Sequence, residues 1–283
     1  MSERPAVTIV EVGPRDGLQN EPAIIPLAVK IAFVNALAAA GFRTVETTSF
    51  VHPKLVPQLA DAADVMLGIE RKPGVRYPAL IPNERGLERA LEAGVDSIAL
   101  FTSATEDFCR ANIRCSIDES FERFEPVIAV AKERGLWIRG YVSVAFSCPY
   151  SGPVVPAAAI EVAGRLFAAG CDEVSIADTI GSATVLETKR LLEAVRTELS
   201  FDRLALHVHD TRGHAIANIA AAFEAGVRIF DSSAGGLGGC PFAPGAAGNI
   251  ATEAVVGFFE AQGVSTGIDR DAVQRAVVAL RSA

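Results

Sequence analysis

The chain has 283 residues, half of them hydrophobic, and a formal net charge of −8. This length suits one large α/β domain with an ample core, and the acidic balance argues against a general nucleic-acid or anionic-membrane binder. Its five cysteines are scattered, odd in number and without Cys-x-x-Cys spacing, which is typical of a reducing compartment.

The first predicted strand starts about six residues into the chain, so we expect no secretion signal. No apolar stretch has the length and uniformity of a membrane span. We therefore expect a cytoplasmic protein with neither nucleic acid nor a membrane as partner. The negative net charge of the chain still allows a small anionic substrate, provided that basic side chains cluster at the binding site.

Short apolar runs alternate with longer amphipathic segments along the chain. The short runs predict strands at 7–12, 44–48, 76–81, 97–101, 137–144, 172–177, 203–209 and 228–232. The amphipathic segments predict helices at 27–40, 83–93, 118–135, 156–169, 182–198, 213–225 and 247–262, with a helical tail at 268–281. Glycines such as Gly41 and Gly94 follow several of these helices, as is typical of helix ends.

Eight strands with intervening helices predict an α/β fold, a (β/α)8 TIM barrel in a single domain over 1–283, and an open doubly wound sheet is the alternative. In such a barrel, functional side chains lie at the carboxyl ends of the strands. We therefore expect the polar residues that follow the predicted strands to share one rim.

The most informative pattern on this rim is the pair His207 and His209, which ends the seventh predicted strand. Side chains alternate along a strand, so both imidazoles point to the same face and form half of a divalent-metal site. Asp16 and Asn249 would add two oxygen ligands. This set contains no thiolate, so it favours Mg²⁺ or Mn²⁺ and leaves positions open for a chelating substrate. An ordinary polar pair at a strand end is the alternative.

Other rim residues carry alternatives of their own. Arg15 could stabilise negative charge on an oxygen, and Glu46, buried at a strand end, must be paired, with Arg15 as the natural candidate. Asp178 could orient a ligand or cap the following helix. Cys240 stands in a glycine-rich loop at 235–245 that suits a lid, and its thiol is a candidate acid or base.

The segment after this loop also contains two candidates. Asn249 could cap the predicted helix at 247–262 instead of binding a metal. Glu253 stands four residues further on, so we expect it on the same helical face, where it could hold a neighbour in place.

Seven segments of the chain resemble, in order and spacing, the 3-hydroxy-3-methylglutaryl-CoA (HMG-CoA) lyases, a family of metal-dependent TIM-barrel enzymes. They are 11–21 (EVGPRDGLQNE), 46–51 (ETTSFV), 139–143 (RGYVS), 178–181 (DTIG), 207–211 (HVHDT), 238–241 (GGCP) and 248–253 (GNIATE). The resemblance runs from about residue 7 to about residue 265. It departs at His52, Leu55 and Val144, where relatives commonly have serine, tryptophan and cysteine.

The resemblance implies roles for individual residues. It implies that the metal ligands are Asp16, His207, His209 and Asn249. It implies that Arg15 neutralises the forming enolate of acetyl-CoA and that Cys240 supplies a proton during turnover. Supporting or proton-shuttling acids would be Glu46, Asp178 and Glu253. Substrate contacts are expected from Arg15, Gln19, Ser49, Ser175 and Gly239.

The implied reaction is metal-dependent retro-Claisen cleavage of HMG-CoA to acetyl-CoA and acetoacetate, in leucine degradation, by a homodimer. The alternatives are a lyase for a related thioester such as citramalyl-CoA or a longer branched 3-hydroxyglutaryl-CoA, a Claisen-condensing synthase, or a metal-dependent scaffold without activity. The base that takes the hydroxyl proton stays open among Asp16, Asp178 and His207.

Overall fold

One parallel sheet organises the chain in the computed structural model, which describes residues 6–238 and 248–283. Its strands in chain order are β1 (Thr8–Glu11), β2 (Thr44–Val45), β3 (Thr48–Ser49), β4 (Ala79–Leu80), β5 (Ser97–Ser103), β6 (Trp137–Ser143), β9 (Glu173–Asp178), β10 (Leu204–Val208) and β11 (Ile229–Ser232). A separate antiparallel hairpin pairs β7 (Ser147–Cys148) with β8 (Gly152–Pro153). This hairpin was not predicted from the sequence, because strands of two residues are too short to show an alternating pattern.

The predicted strand at 44–48 is divided into two pieces, β2 and β3. The two pieces pair with different neighbouring strands, and this pairing closes the barrel. β2 pairs with β1, and β3 pairs with β4. Between the two pieces, Glu46 N donates to Glu11 O at 2.8 Å and Thr47 N donates to Pro78 O at 2.9 Å. Because β2 and β3 are consecutive parts of one strand, the sheet is a closed ring of eight strands. The TIM-barrel prediction is confirmed.

Helices surround this ring in the part of the chain that the structure describes. They are α1 (Leu27–Ala39), α2 (Ala62–Gly68), α3 (Glu84–Glu92), α4 (Glu106–Ile113), α5 (Ile117–Glu133), α6 (Pro156–Ala169), α7 (Val185–Glu198), α8 (Ala215–Ala225), α9 (Thr252–Ala261) and α10 (Arg270–Arg281). The short helices α2 and α4 were not predicted, since about two turns show little periodicity. No helix in the described ranges is both long enough and apolar enough to span a bilayer.

The predicted helix at 247–262 begins too early. The structure starts α9 at Thr252, and Asn249 instead forms an antiparallel bridge with His209. Asn249 is therefore not a helix cap. The expected shared helical face of Asn249 and Glu253 is also wrong, because only Glu253 is in the helix.

The two faces of the barrel strands carry different side chains. Outward-facing residues pack against the helices, as Phe230 does against Phe259 of α9 with ring centroids 5.4 Å apart. Inward-facing residues include the buried charged side chains of Arg139 and Asp231. The stable apolar core therefore lies between sheet and helices, and the barrel interior is left for polar groups.

Glu11 ties three segments together just outside the barrel. Its Oε1 accepts from the backbone N–H of Gly13 at 2.8 Å and of Ala234 at 2.9 Å. Its Oε2 accepts from Thr252 Oγ1 at 2.7 Å. The side chain is fully buried, and this burial raises the pKa of Glu11 to about 7 in spite of the hydrogen bonds. Glu11 thus joins the loops after β1 and β11 to the start of α9.

We predict that Glu11 makes stability fall as pH rises from about 4.5 to about 7. The unfolded chain ionises Glu11 near the lower value and the folded chain near the upper one, so the folded state binds more protons in between. The free energy of unfolding should drop by about 3 kcal/mol over this window and then level off. Glu11→Gln, which mimics the neutral form, should lose this decline.

Urea denaturation followed by circular dichroism at pH 5 and pH 7.5 measures the effect. Glu133→Gln, at the exposed end of α5, is the matched control and should keep the wild-type pH dependence. A stability difference between wild type and Glu11→Gln that is the same at both pH values would contradict the prediction.

Candidate active site

Three predicted metal ligands converge at the carboxyl end of the barrel. Asp16, His207 and His209 each offer one ligand atom, and these atoms lie within 4.8 Å of one another. His207 is in β10 and His209 directly follows it, with ring centroids 5.1 Å apart. Asp16 lies in a π-helical turn, Gly13–Gly17, which follows β1. Because side chains alternate along a strand, the sequence predicted that both imidazoles share one face, and the structure agrees with that prediction.

Close packing holds the turn that carries Asp16. The backbone N–H of Asp16 donates to Val12 O at 2.7 Å. A Cβ on Gly17 would lie 2.8 Å from Leu237 Cβ and 2.9 Å from Ser233 Oγ. Glycine is therefore required at position 17 because the loop after β11 presses against this turn.

Asn249, the fourth predicted ligand, stands beside Asp16. Its Nδ2 donates to Asp16 Oδ2 at 2.7 Å and to Leu237 O at 3.3 Å. Asn249 Oδ1 and His209 Nδ1 are buried, and neither has a hydrogen-bond partner among the described residues. An unpaired buried polar atom is unfavourable by about 1–3 kcal/mol. These unpartnered atoms, with a carboxylate and a second imidazole, form a donor set that fits a divalent cation.

The electrostatics keep these donors in their ligand forms. Burial alone would raise the pKa of Asp16, but Arg15 and the two imidazoles lower it to about 2. Burial and the neighbouring His207 lower the pKa of His209 to about 4. At neutral pH the carboxylate is therefore charged and the His209 ring is neutral, as metal binding requires.

Arg139 is the centre of a polar network inside the barrel. Its Nη2 donates to Asp231 Oδ1 at 2.6 Å, and its Nη1 donates to the Tyr141 hydroxyl at 2.6 Å. Its Nε lies 2.8 Å from Glu173 Oε1, an ion pair without hydrogen-bond alignment. Ser175 Oγ also donates to Asp231 Oδ2 at 2.9 Å. Burial alone would lower the pKa of Arg139, but Asp231, Tyr141 and Glu173 raise it well above its ordinary value.

One arm of this network reaches the loop after β1. The Tyr141 hydroxyl donates to Glu46 Oε2, and Glu46 Oε1 accepts from Arg15 Nε. Arg15 Nη1 then donates to Asp16 Oδ1 at 2.6 Å. Burial raises the pKa of Tyr141 well above its usual range, so the phenol stays protonated and donates. The predicted pairing of Glu46 with Arg15 is confirmed.

The network has more negative than positive groups, so a cation could bind beside it. Its carboxylates outnumber its guanidinium groups by four to two, so at full ionisation it carries two negative charges. The four carboxylates belong to Asp16, Glu46, Glu173 and Asp231, and the two guanidinium groups to Arg15 and Arg139. A bound divalent cation would balance this excess, which a dry interior does not tolerate well.

Two further candidates hold loops in place. Asp178 accepts from the backbone N–H of Ser182 at 3.1 Å and of Ala183 at 2.9 Å, and burial raises its pKa. It therefore secures the approach to α7, close to the predicted capping role. Glu253 accepts from Gly235 N at 2.9 Å, which fixes the start of the loop after β11.

The expected substrate contacts fall in different places. Gln19 Nε2 donates to Asp16 Oδ1 at 3.2 Å, so it lies in the site. Ser175 is fully buried below the rim and bonds to Asp231, so it faces the network instead of the mouth. Ser49 is buried at the end of β3 and accepts from Val51 N at 3.2 Å. Gly239 and Cys240 lie outside the described residues.

The network residues Arg139, Tyr141 and Asp231 were not predicted from the sequence as functional candidates. Arg139 and Tyr141 stand two apart in one strand, and Asp231 follows the apolar pair Ile229 and Phe230. A charged side chain within an otherwise apolar strand is the signal that could have found them, because a buried charge must have a partner.

The fold and the site define a TIM barrel with a candidate divalent-cation centre on its carboxyl rim. The family model described as HMGL-like matches residues 6–278, and the chain belongs to this family. It is 49% identical over 270 residues to the cytoplasmic 3-hydroxy-3-methylglutaryl-CoA lyase of Rattus norvegicus, covering 95% of this chain and 79% of that one. It is 50% identical over 263 residues to the mitochondrial hydroxymethylglutaryl-CoA lyase of the same species, covering 93% and 81%.

Solved structures agree with this assignment. An HMG-CoA lyase from Brucella melitensis superposes with a TM-score of 0.96 at 50% identity and covers 99% of both chains. An HMG-CoA lyase from Acinetobacter baumannii, in complex with coenzyme A and 3-methylmalate, gives a TM-score of 0.92 at 38% identity and covers 98% of this chain and 90% of that one. The resemblance stated from the sequence motifs is confirmed.

We predict that Arg139→Met lowers the free energy of unfolding by about 3–5 kcal/mol, because it leaves buried carboxylates without their cation. Urea denaturation measures the loss. Arg165→Met is the matched control: its guanidinium lies over the Phe121 ring on the outer surface, 4.1 Å from the centroid. This control should change stability by about 1 kcal/mol or less. Equal losses in the two variants would refute the central role of Arg139.

Proposed function

We propose that the protein is a divalent-metal-dependent lyase that cleaves HMG-CoA to acetyl-CoA and acetoacetate. The observation that carries this proposal is the cluster of Asp16, His207 and His209 beside Arg15, in a chain about half identical to HMG-CoA lyases over most of its length. A hydroxy acid that chelates a cation there would have its reacting carbon next to a permanent positive charge.

The residues that would hold the cation are Asp16, His207, His209 and Asn249. When bound, Mg²⁺ or Mn²⁺ would lower the pKa of the substrate hydroxyl and polarise its oxygens. The low pKa of Asp16 and the neutral ring of His209 support this donor set at neutral pH. The unpaired Asn249 Oδ1 supports it as well.

Arg15 would stabilise the enolate of acetyl-CoA as the carbon–carbon bond breaks. Its Nε and Nη1 are held by Glu46 and Asp16, and its Nη2 bonds to none of the residues in the described ranges. The two carboxylates hold the pKa of Arg15 above its ordinary value, although burial opposes them. A guanidinium fixed in this way offers its free N–H groups to a developing oxyanion without reorganising.

The proton steps would use other groups. The base for the hydroxyl proton would be Asp16, Asp178 or His207. Of these, Asp178 already accepts the backbone N–H groups of Ser182 and Ala183, one on each carboxylate oxygen. We propose that Cys240 donates the proton that converts the enolate to acetyl-CoA.

Further attributes are proposed from the family resemblance. We propose a single-domain homodimer that works in leucine degradation, with Mg²⁺ or Mn²⁺ as its ion. A cytoplasmic location is supported by relatives whose names place them there, although other relatives are named mitochondrial.

A second candidate substrate class is favoured by one relative. The Acinetobacter baumannii structure contains coenzyme A and 3-methylmalate, a hydroxy diacid other than hydroxymethylglutarate. A lyase for such a thioester would keep the same metal site and differ in the acyl pocket. Turnover of HMG-CoA, citramalyl-CoA and 3-methylmalyl-CoA under identical conditions separates the two, and the thioester with the highest kcat/KM identifies the substrate.

We predict that HMG-CoA cleavage requires a divalent cation. EDTA should abolish acetoacetate formation, and Mg²⁺ or Mn²⁺ should restore it. His207→Ala should lower kcat/KM by about 100-fold or more, because it removes a proposed ligand. His214→Ala, an exposed histidine in the loop after β10, is the matched control and should keep wild-type activity. Cleavage that persists in EDTA would overturn the proposed function.

We also predict that Cys240→Ser lowers kcat by about 100-fold or more, because a hydroxyl is a poorer proton donor than a thiol. The Kd for Mn²⁺ should stay at the wild-type value, since the thiol is not a proposed ligand. Electron paramagnetic resonance of free Mn²⁺ measures binding, and acetoacetate formation measures kcat. Cys171→Ala, buried beneath α6, is the control. An unchanged kcat in Cys240→Ser would exclude the proposed role.

A further inference from the structure

The two imidazoles of the candidate metal centre are held differently. His207 Nδ1 lies 3.3 Å from Asp231 Oδ2. His209 Nδ1, in contrast, is buried and has no hydrogen-bond partner among residues 6–238 and 248–283. His207 therefore has a carboxylate behind its ring, opposite the Nε2 that would face a cation, whereas the unpartnered Nδ1 of His209 is itself a candidate donor to the cation.

Asp231 is itself held firmly in one position. Its side chain has no solvent exposure, and its Oδ1 accepts from Arg139 Nη2 at 2.6 Å. Its Oδ2 accepts from Ser175 Oγ at 2.9 Å as well as facing His207. The ion pair with the permanently charged guanidinium of Arg139 keeps this carboxylate ionised. An ionised carboxylate has no hydrogen to donate, so the hydrogen shared with His207 must sit on Nδ1.

We propose that Asp231 is a positioning residue that fixes His207 as the Nδ1–H tautomer and thereby sets the metal affinity of the centre. This inference rests on the proposed metal-dependent function. With the hydrogen on Nδ1, the lone pair of Nε2 is available to a cation and the ring cannot rotate out of line. Carboxylates behind ligating imidazoles typically strengthen metal binding by about 10- to 100-fold.

The arrangement also gives Arg139 a role in the centre. Arg139 holds the ionised form and the orientation of Asp231, and Asp231 in turn holds His207. A purely structural Arg139–Asp231 ion pair would contribute to stability without controlling the hydrogen on the imidazole. The tautomer and the metal affinity are therefore the measurements that separate a positioning role from a structural one.

The tautomer can be measured in the wild-type protein. The chain has four histidines, so two-bond nitrogen–proton correlation spectra of metal-free, histidine-labelled protein contain few signals. His52→Gln and His214→Gln, both at exposed positions, identify the signals of the other two rings. We expect His207 as the neutral Nδ1–H tautomer. A neutral Nε2–H tautomer at His207 would overturn the proposal without any change to the network.

The affinity test uses Asp231→Asn. The side-chain amide keeps an oxygen for Arg139 and turns an N–H donor toward His207 Nδ1, so we expect the opposite tautomer. The Kd for Mn²⁺ should rise by about 10- to 100-fold. Ser175→Ala is the matched control, because it removes the other hydrogen bond to the same Oδ2 and keeps the carboxylate. Its Kd should stay within about threefold of wild type.

These experiments distinguish failure of the metal centre from failure of the positioning role of Asp231 alone. Wild-type protein that binds no Mn²⁺ would refute the metal centre and with it the proposed function. Wild-type binding with an equal Kd in Asp231→Asn would refute only the positioning role, as would an equal loss in Ser175→Ala. If Asp231→Asn does not fold, as judged by circular dichroism, the wild-type tautomer alone decides.

Discussion

The burial of the Arg139 guanidinium is the constraint on which the interior of this barrel depends. A charge without solvent is unfavourable by several kcal/mol unless it is fully paired, so its partners cannot move independently. Through Tyr141 and Glu46 one arm of the network reaches Asp16, and through Asp231 the other reaches His207. Two candidate ligands, one in the turn after β1 and one in β10, therefore share one anchor.

Different parts of this barrel supply its stability and its charged groups. Barrel interiors are commonly filled with layers of branched apolar side chains. Here the described residues inside the barrel form small apolar clusters, such as Val10, Ala205 and Ile229, and the charged network lies beneath the rim. Apolar packing between strands and helices, as between Phe230 and Phe259, supplies the burial that drives folding. The interior is free to hold charges in fixed positions because it is not the main source of stability.

The sequence was informative where the signal is local. Short apolar runs predicted all eight barrel strands, and the two-residue spacing of His207 and His209 predicted their common face. Contacts between distant parts of the chain had no such signal: Arg139 and Asp231 are 92 residues apart, and their pairing depends on the register of four neighbouring strands. A Gly–Asn pair before an apolar run resembles a helix start, which is why a helix cap was the alternative to a metal ligand for Asn249. In the structure it bridges to His209 instead.

The candidate ligands are held from both sides of the barrel wall. From inside, the network of Arg139 fixes Asp16 and His207. From outside, Glu11 joins the loop after β1, which contains Asp16, to the loop after β11, and the bridge between Asn249 and His209 continues that connection. Ligands supported in this way lose little freedom when a cation binds, so more of the intrinsic binding energy appears as affinity. The unpaired atoms on Asn249 and His209 are then the cost of this preorganisation in the metal-free protein, and a bound cation would remove it.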